Sequence, residues 1–140
     1  DRSERVRSEA AEALGEMDHP GATGALRGLA MGDHPESVRM EAGEALGERP
    51  AVEALPVLEE VIRRASSEGV RLEAVEALEA LHGRSVVMRD GRAAAVLAAL
   101  ERVARTHPDA RVRAEAVETL GELRDDGDSS DSPLSHPVAR

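Results

Sequence analysis

No cysteine, no lysine and no phenylalanine, tyrosine or tryptophan occurs in the 140 residues of this chain. Each absence closes off chemistry. Without cysteine there are no disulfides, no thiolate metal sites and no thiol nucleophile. Without lysine there is no Schiff base and no phosphate-loop ammonium; all 18 basic residues are arginine. Without aromatic rings, nucleic-acid bases have nothing to stack on, and a core must be built from alanine, valine and leucine. Such a core buries little area per residue, so stability must come from repetition along the chain. Positive charge is short as well: 28 acidic residues leave a net charge of −10. So acidic a surface repels phosphate backbones, and nucleic acid is not an expected partner. No apolar run approaches the roughly 18 residues of a membrane span, and no signal peptide is visible. The expectation is a cytoplasmic chain without a membrane partner. It starts at Asp1 and enters a repeat almost at once, which reads as a piece of a longer protein.

What is present is one phrase, four times over. Val38-Arg39-Met40-Glu41-Ala42-Gly43-Glu44-Ala45-Leu46-Gly47-Glu48 has counterparts beginning at Val6, Val70 and Val112. The valines lie 32, 32 and 42 residues apart. A period of this size marks a solenoid. In each copy apolar residues fall at the valine and four, seven, eight and usually eleven positions on, which is one face of an α-helix. Turns with Pro and Asp, such as Asp33-His34-Pro35 and Thr106-His107-Pro108-Asp109, precede the phrase. Inner helices are therefore expected over 4–17, 36–49, 68–82 and 109–124, with Leu14, Leu46, Leu78 and Leu120 central to their buried stripes.

A second apolar segment follows each of the first three phrases. These segments run over about 22–31, 54–65 and 92–105, with Gly24 and Gly28 weakening the first. Pro56 is expected in the first turn of the second, where a missing N–H costs nothing. Leu26, Leu58 and Leu100 each stand 12 residues before the next valine. The extra 10 residues of the third repeat must then lie near His82 to Gly91, in the loop between its helices or at the start of the second one. The domain reading is a repeat array over 1–124, with repeats at about 3–34, 35–66, 67–108 and a partial 109–124. Residues 125–140 read as an acidic Ser/Asp/Pro-rich tail or linker. Both ends of the array would expose apolar faces, which leaves self-association open.

Paired helices carrying V-R-x-E-A-x-E-A-L-G-E over residues 3–123 resemble HEAT-like repeats of the class named after phycobilisome lyases. The resemblance implies an all-α fold: a right-handed α-solenoid of stacked antiparallel helix pairs, with about seven main helices and no strand. The wording from Val38 to Gly47, followed by Ala54-Leu55-Pro56-Val57-Leu58, is most similar to deoxyhypusine hydroxylase. That family holds a di-iron centre with His-Glu pairs. The matching positions here read Ser8-Glu9, Met40-Glu41, Leu72-Glu73 and Ala114-Glu115. The histidines are gone, and glutamates alone do not make a redox iron site. The expectation is a non-enzyme with no metal and no cofactor. A degenerate hydroxylase-like or bilin-lyase-like module, or a structural segment of a larger protein, are the alternatives.

Two surfaces are candidates for binding a protein. Glu9, Glu41, Glu73 and Glu115 lie three residues after the valines, and Glu12, Glu44, Glu76 and Glu118 three further on, so each pair shares a helix face. Stacking makes them a ridge on the concave side. It reads either as a solvated face or as a groove for a basic or Arg-rich partner. The other candidate is Val86-Val87-Met88, an apolar triplet in the one insertion, which could instead fold back over its helix pair. The recurrent Arg7, Arg39, Arg71 and Arg113 are expected to pair with acids of neighbouring turns, among them Asp33, Glu36, Glu68 and Asp109. His19, His34, His107 and His136 directly precede proline and belong to turns; no pair has metal-ligand spacing.

Overall fold

The computed structural model describes residues 2–130. Seven helices follow one another among the described residues: α1 (Arg2–Glu16), α2 (Gly21–Met31), α3 (Glu36–Leu46), α4 (Ala51–Arg64), α5 (Glu68–Met88), α6 (Ala93–Thr106) and α7 (Ala110–Ser130). No strand occurs among the described residues. Proline starts helices: Pro20, Pro35 and Pro50 stand immediately before α2, α3 and α4. Polar side chains start others. Ser67 accepts from the Val70 N–H at the head of α5, and Asp109 accepts from the N–H of Arg111 and Val112 at the head of α7.

The odd helices α1, α3, α5 and α7 stack side by side in one layer, and α2, α4 and α6 form the second. Neighbours within the odd layer approach one another more closely than α2 approaches α4. The tight spacing has a visible cause. A Cβ built on Gly15 would stand 3.0 Å from the Cβ of Ala45, and one on Gly47 would stand 3.2 Å from the Cβ of Ala77. The glycine of the first and of the second phrase thus receives the alanine of the next. The outer layer is laced by charge instead: Arg27 pairs with Glu60 between α2 and α4, and Arg102 with Glu59 between α6 and α4.

The core lies between the layers. Leu26, Leu46, Leu58, Leu78 and Leu100 are fully buried, as are Val38, Val70 and Val112. Leu120 is buried too, but Leu14 is only half-buried and Val6 is exposed. That corrects the expectation for the first copy. Its stripe repeats the same residues, but no helix among the described ones lies behind α1 to cover them.

Three boundaries differ from expectation. The 10 extra residues lengthen the first helix of the third repeat, α5, and not the loop or the second helix. Between His82 and Met88 only Gly83 weakens a helix, so α5 runs on until Arg89 adopts φ 53° and Gly91 φ 78°. Asp90 then accepts from the Arg92 N–H and opens α6. Second, α4 begins at Ala51, so Pro56 is its sixth residue and not part of its first turn. Its ring is exposed, and the carbonyl of Val52 goes without an intrahelical donor. Third, α7 continues past Arg124 to Ser130; residues 131–140 of the expected tail lie outside the described residues.

Candidate functional site

The phrase glutamates converge. Four rungs cross the odd layer: Glu9, Glu12 and Glu16 on α1; Glu41 and Glu44 on α3, with Glu48 in the turn that follows it; Glu73, Glu76 and Glu79 on α5; Glu115, Glu118 and Glu122 on α7. Their electrostatics show that neighbouring rungs sense one another. Burial raises the Glu41 carboxyl above its usual range, helped by Glu44, Glu12 and Glu48. Burial raises Glu115, with Glu76, Glu118 and Glu122 adding to it. Glu48 is raised by burial and by Glu16, Glu44 and Glu12, with Arg84 pulling the other way.

Glu73 is the extreme case. Burial pushes it up to about 7, and Glu76, Glu44 and Glu41 push in the same direction. Its position explains the burial. A Cβ on Gly43 would stand 3.6 Å from the Glu73 Cγ, so the missing side chain at 43 lets the Glu73 stem lie against α3. The carboxyl is left among three others.

Between α5 and α7 the face opens into a cleft of about 470 Å³ lined by Glu44, Glu73, Glu76, Glu79, Leu123 and Asp126, among others. Glu79 stands where the other phrases have glycine, so α7 cannot approach as α3 and α5 do their forerunners. Burial raises Glu79, and so do the charge of Glu122 and a hydrogen bond shared with it. The sequence reading missed Glu79; the signal was the broken L-G-E ending of the third phrase.

Little positive charge answers this face. Arg5 lies 3.9 Å from Glu9, and Arg84 and Arg111 come near Glu48 and Glu115 from the margins. Three of the four phrase arginines are engaged at the turns. Arg39 donates to the carbonyl of His34, Arg71 to that of Ala65 and Arg113 to those of His107 and Pro108. Of the expected acid partners, Asp109 pairs with Arg71 at 3.1 Å. The recurrent arginine is chiefly a clamp on the carbonyls of the preceding turn, a role the charge pattern alone did not reveal. Glu36 and Glu68 are bound across turns by Ser67 and Arg111.

Arg49 is a second feature the sequence reading missed. It is buried, 4% exposed, at the position where the first and third phrases carry Met17 and Leu81. A buried guanidinium needs partners for its fork of donors. Nε donates to Thr23 Oγ1 at 3.0 Å, Nη1 to the Met17 carbonyl, and Nη2 to the His19 carbonyl at 2.9 Å and to Glu53 at 3.2 Å. The hydrogen bond from Thr23 holds the Glu53 carboxyl below its usual range against the effect of burial, and Arg49 adds to this. Arg49 fastens the α1–α2 turn to the head of α4, with four of its five N–H groups engaged there.

Val86, Val87 and Met88 form the last turn of α5 and are 55%, 78% and 63% exposed. They do not fold back over the helix pair. Met88 and Val52 line a groove of about 370 Å³ with Pro50, Arg84, Asp90 and Arg92. Among the histidines, His107 is buried. Its Nδ1 accepts from the Asp109 N–H at 3.0 Å, so its Nε2–H donates to the Ile62 carbonyl at 2.9 Å. It ties α4 to the head of α7, as a turn residue would. Among the described residues no group of three His, Asp or Glu side chains is placed to hold a metal ion. No helix among them is long and apolar enough to cross a membrane.

A family model for HEAT repeats matches residues 1–79. The chain belongs to the HEAT repeat family. The match ends at Glu79, where the third HEAT repeat loses its glycine and α5 outgrows the standard length. No curated protein and no solved structure matches the chain. HEAT repeats serve protein–protein interaction and scaffolding, and their binding surfaces are the extended faces that stacking creates.

Proposed function

We infer that this chain is a non-catalytic HEAT-repeat scaffold whose odd-helix face binds a basic, arginine-rich segment of another protein. The observation that carries this reading is Glu73, held half-buried among Glu41, Glu44 and Glu76 with its charge disfavoured by all three. A face of like charges sustained across four helices is a standing electrostatic cost. A cationic segment laid across the rungs removes it, and complementarity of this kind sets partner choice and association rate. Arg39, Arg71 and Arg113 are engaged at the turns, Arg27 and Arg102 in the outer layer, and Arg49 in its own network. The absence of histidine at Ser8, Met40, Leu72 and Ala114 supports a non-catalytic role, since these are the positions that match the metal ligands of the hydroxylase it resembles.

The experiment is a titration with a fluorescent arginine-rich peptide at low and high salt. Binding should weaken as salt rises, because exposed charges are screened beyond about 8 Å at physiological ionic strength. The variant carrying Glu41→Arg, Glu44→Arg and Glu73→Arg should lose binding while keeping its helical circular dichroism. Binding insensitive to both salt and charge reversal would remove the acidic face. One observation favours a second site in that event: the apolar groove beside Met88 and Val52, which would take an apolar segment with little salt dependence.

A further inference from the structure

The lengthening of α5 builds a second surface at the edge of the array. Leu78 corresponds to Leu46, the last residue of α3, and α5 continues for the ten residues from Glu79 to Met88. That adds about 15 Å of helix. Leu81 and Ser85, four apart, are buried and hold the added turns down. Arg84 and Met88, also four apart, line the 370 Å³ groove with Val52 at the head of α4. Val52 and Met88 are exposed, and Val86 and Val87 continue the apolar surface around the same turn of α5. Among the described residues, four of the seven exposed large hydrophobic side chains stand here. Apolar exposure is thus concentrated and not scattered, which is the pattern of an interaction site. The groove is also preformed. Arg89 at φ 53° and Gly91 at φ 78° turn the chain, and Asp90 accepts from the Ser85 hydroxyl at 3.3 Å and the Arg92 N–H at 3.0 Å. Little ordering is left for a partner to impose.

The rim of this groove is basic in a chain that is acidic overall. Arg84 and Arg92 line it and Arg89 follows Met88, all three exposed. None of the three forms an ion pair among the described residues. The one carboxylate of the lining, Asp90, is already engaged by Ser85 and the Arg92 N–H. We propose that the groove docks a segment of a partner protein in which apolar side chains are flanked by Asp or Glu. The apolar side chains pack against Met88 and Val52, and the flanking carboxylates meet the arginines. Apolar burial supplies the affinity and the rim selects the flanks. An anionic lipid surface offers similar chemistry. A concave groove suits an inserted side chain better than a flat headgroup layer, however, and a net charge of −10 opposes approach to one. The groove shares no lining residue with the cleft between α5 and α7. One array therefore has places for a basic segment and for an acidic one.

Two fluorescent peptides test this, each with a central pair of leucines, one flanked by glutamates and the other by glutamines. At low salt the glutamate-flanked peptide should bind the 140-residue chain more tightly. At high salt the two should converge as the rim is screened, leaving the apolar contribution. Met88→Gln and Val52→Gln should each weaken both peptides about tenfold. These positions are exposed and lie on different helices, so failure of one variant to fold leaves the other. Arg84→Gln combined with Arg92→Gln should remove a preference of roughly fivefold for glutamate flanks and leave the glutamine-flanked peptide unaffected. None of these variants should alter binding of the arginine-rich peptide to the acidic face, so the two readings fail separately. Equal binding of the two peptides at low salt, or binding indifferent to both Met88→Gln and Val52→Gln, overturns the proposal. So does loss, in those two variants, of binding to vesicles of phosphatidylcholine and phosphatidylserine, or of self-association in sedimentation. Either result would give the groove to a lipid surface or to a second copy of the chain.

Discussion

Gly15 and Ala45 touch so closely that a single methyl group on the glycine would stand 3.0 Å from the alanine Cβ. This contact sets the distance between α1 and α3. It makes a sharp prediction, because Gly24 and Gly28 on the neighbouring helix face open space. Gly15→Ala should destabilise by about 1–3 kcal/mol through overpacking, outweighing its gain in helix propensity. Gly28→Ala lies within α2 with nothing near its Cβ and should stabilise by roughly 0.5–1 kcal/mol. Urea midpoints for the two variants, with unchanged slopes, check the opposite signs.

Arg49→Ala should cost about 3–5 kcal/mol, since it strands the Met17 and His19 carbonyls and the Thr23–Glu53 pair around a buried vacancy. Arg49→Lys should recover only part of this, because an ammonium cannot reproduce the fork that reaches both turn carbonyls and Thr23 together. Equilibrium unfolding of both variants provides the comparison.

Stability should rise on mild acidification. Glu73 has a folded-state value of about 7 against an ordinary 4.5, so the folded chain binds a proton that the unfolded chain releases in that window. Its contribution is fully present below the lower value and is lost as pH climbs through the upper one. Glu41, Glu48, Glu79 and Glu115 are raised by the same causes and act in the same direction. Asp109 acts oppositely. Burial would raise it, but Arg71 and the Arg111 N–H hold it down to about 2, so its contribution fades as pH falls below the usual carboxylate range. Thermal midpoints should therefore be higher near about pH 5 than at pH 8. Glu73→Gln should flatten that fall and raise the midpoint at pH 8.

Much of the architecture was legible because the valine phrase encodes its own neighbours. Val38, Val70 and Val112 bury where their spacing places them. Val6 carries the same phrase and does not, because burial depends on a helix standing behind it, which no local pattern can state. The extra length of the third repeat was visible but its location was not. From His82 to Met88 only Gly83 breaks helical propensity, and the real stop is the Asp90-Gly91 turn. Pro56 misled in the other direction: Pro50 is the proline that begins α4. For the candidate site, the glutamates that share a face could be read from their spacing. The depth of Glu73 could not, since it comes from Gly43 on another helix. Arg49 was readable in principle, as a charge standing where its counterparts are Met17 and Leu81.

The α5–α7 junction carries its ion pairs at one end only. At the heads of the two helices, Arg71 pairs with Asp109 and Arg111 with Glu68. At the far end Glu79 faces Glu122, with no glycine seat to draw the helices together. Loss of the proton shared by Glu79 and Glu122 would set two carboxylates in repulsion at that end. This end of the junction should therefore loosen as pH rises, while the α1–α3 and α3–α5 junctions stay closed on their glycine–alanine contacts.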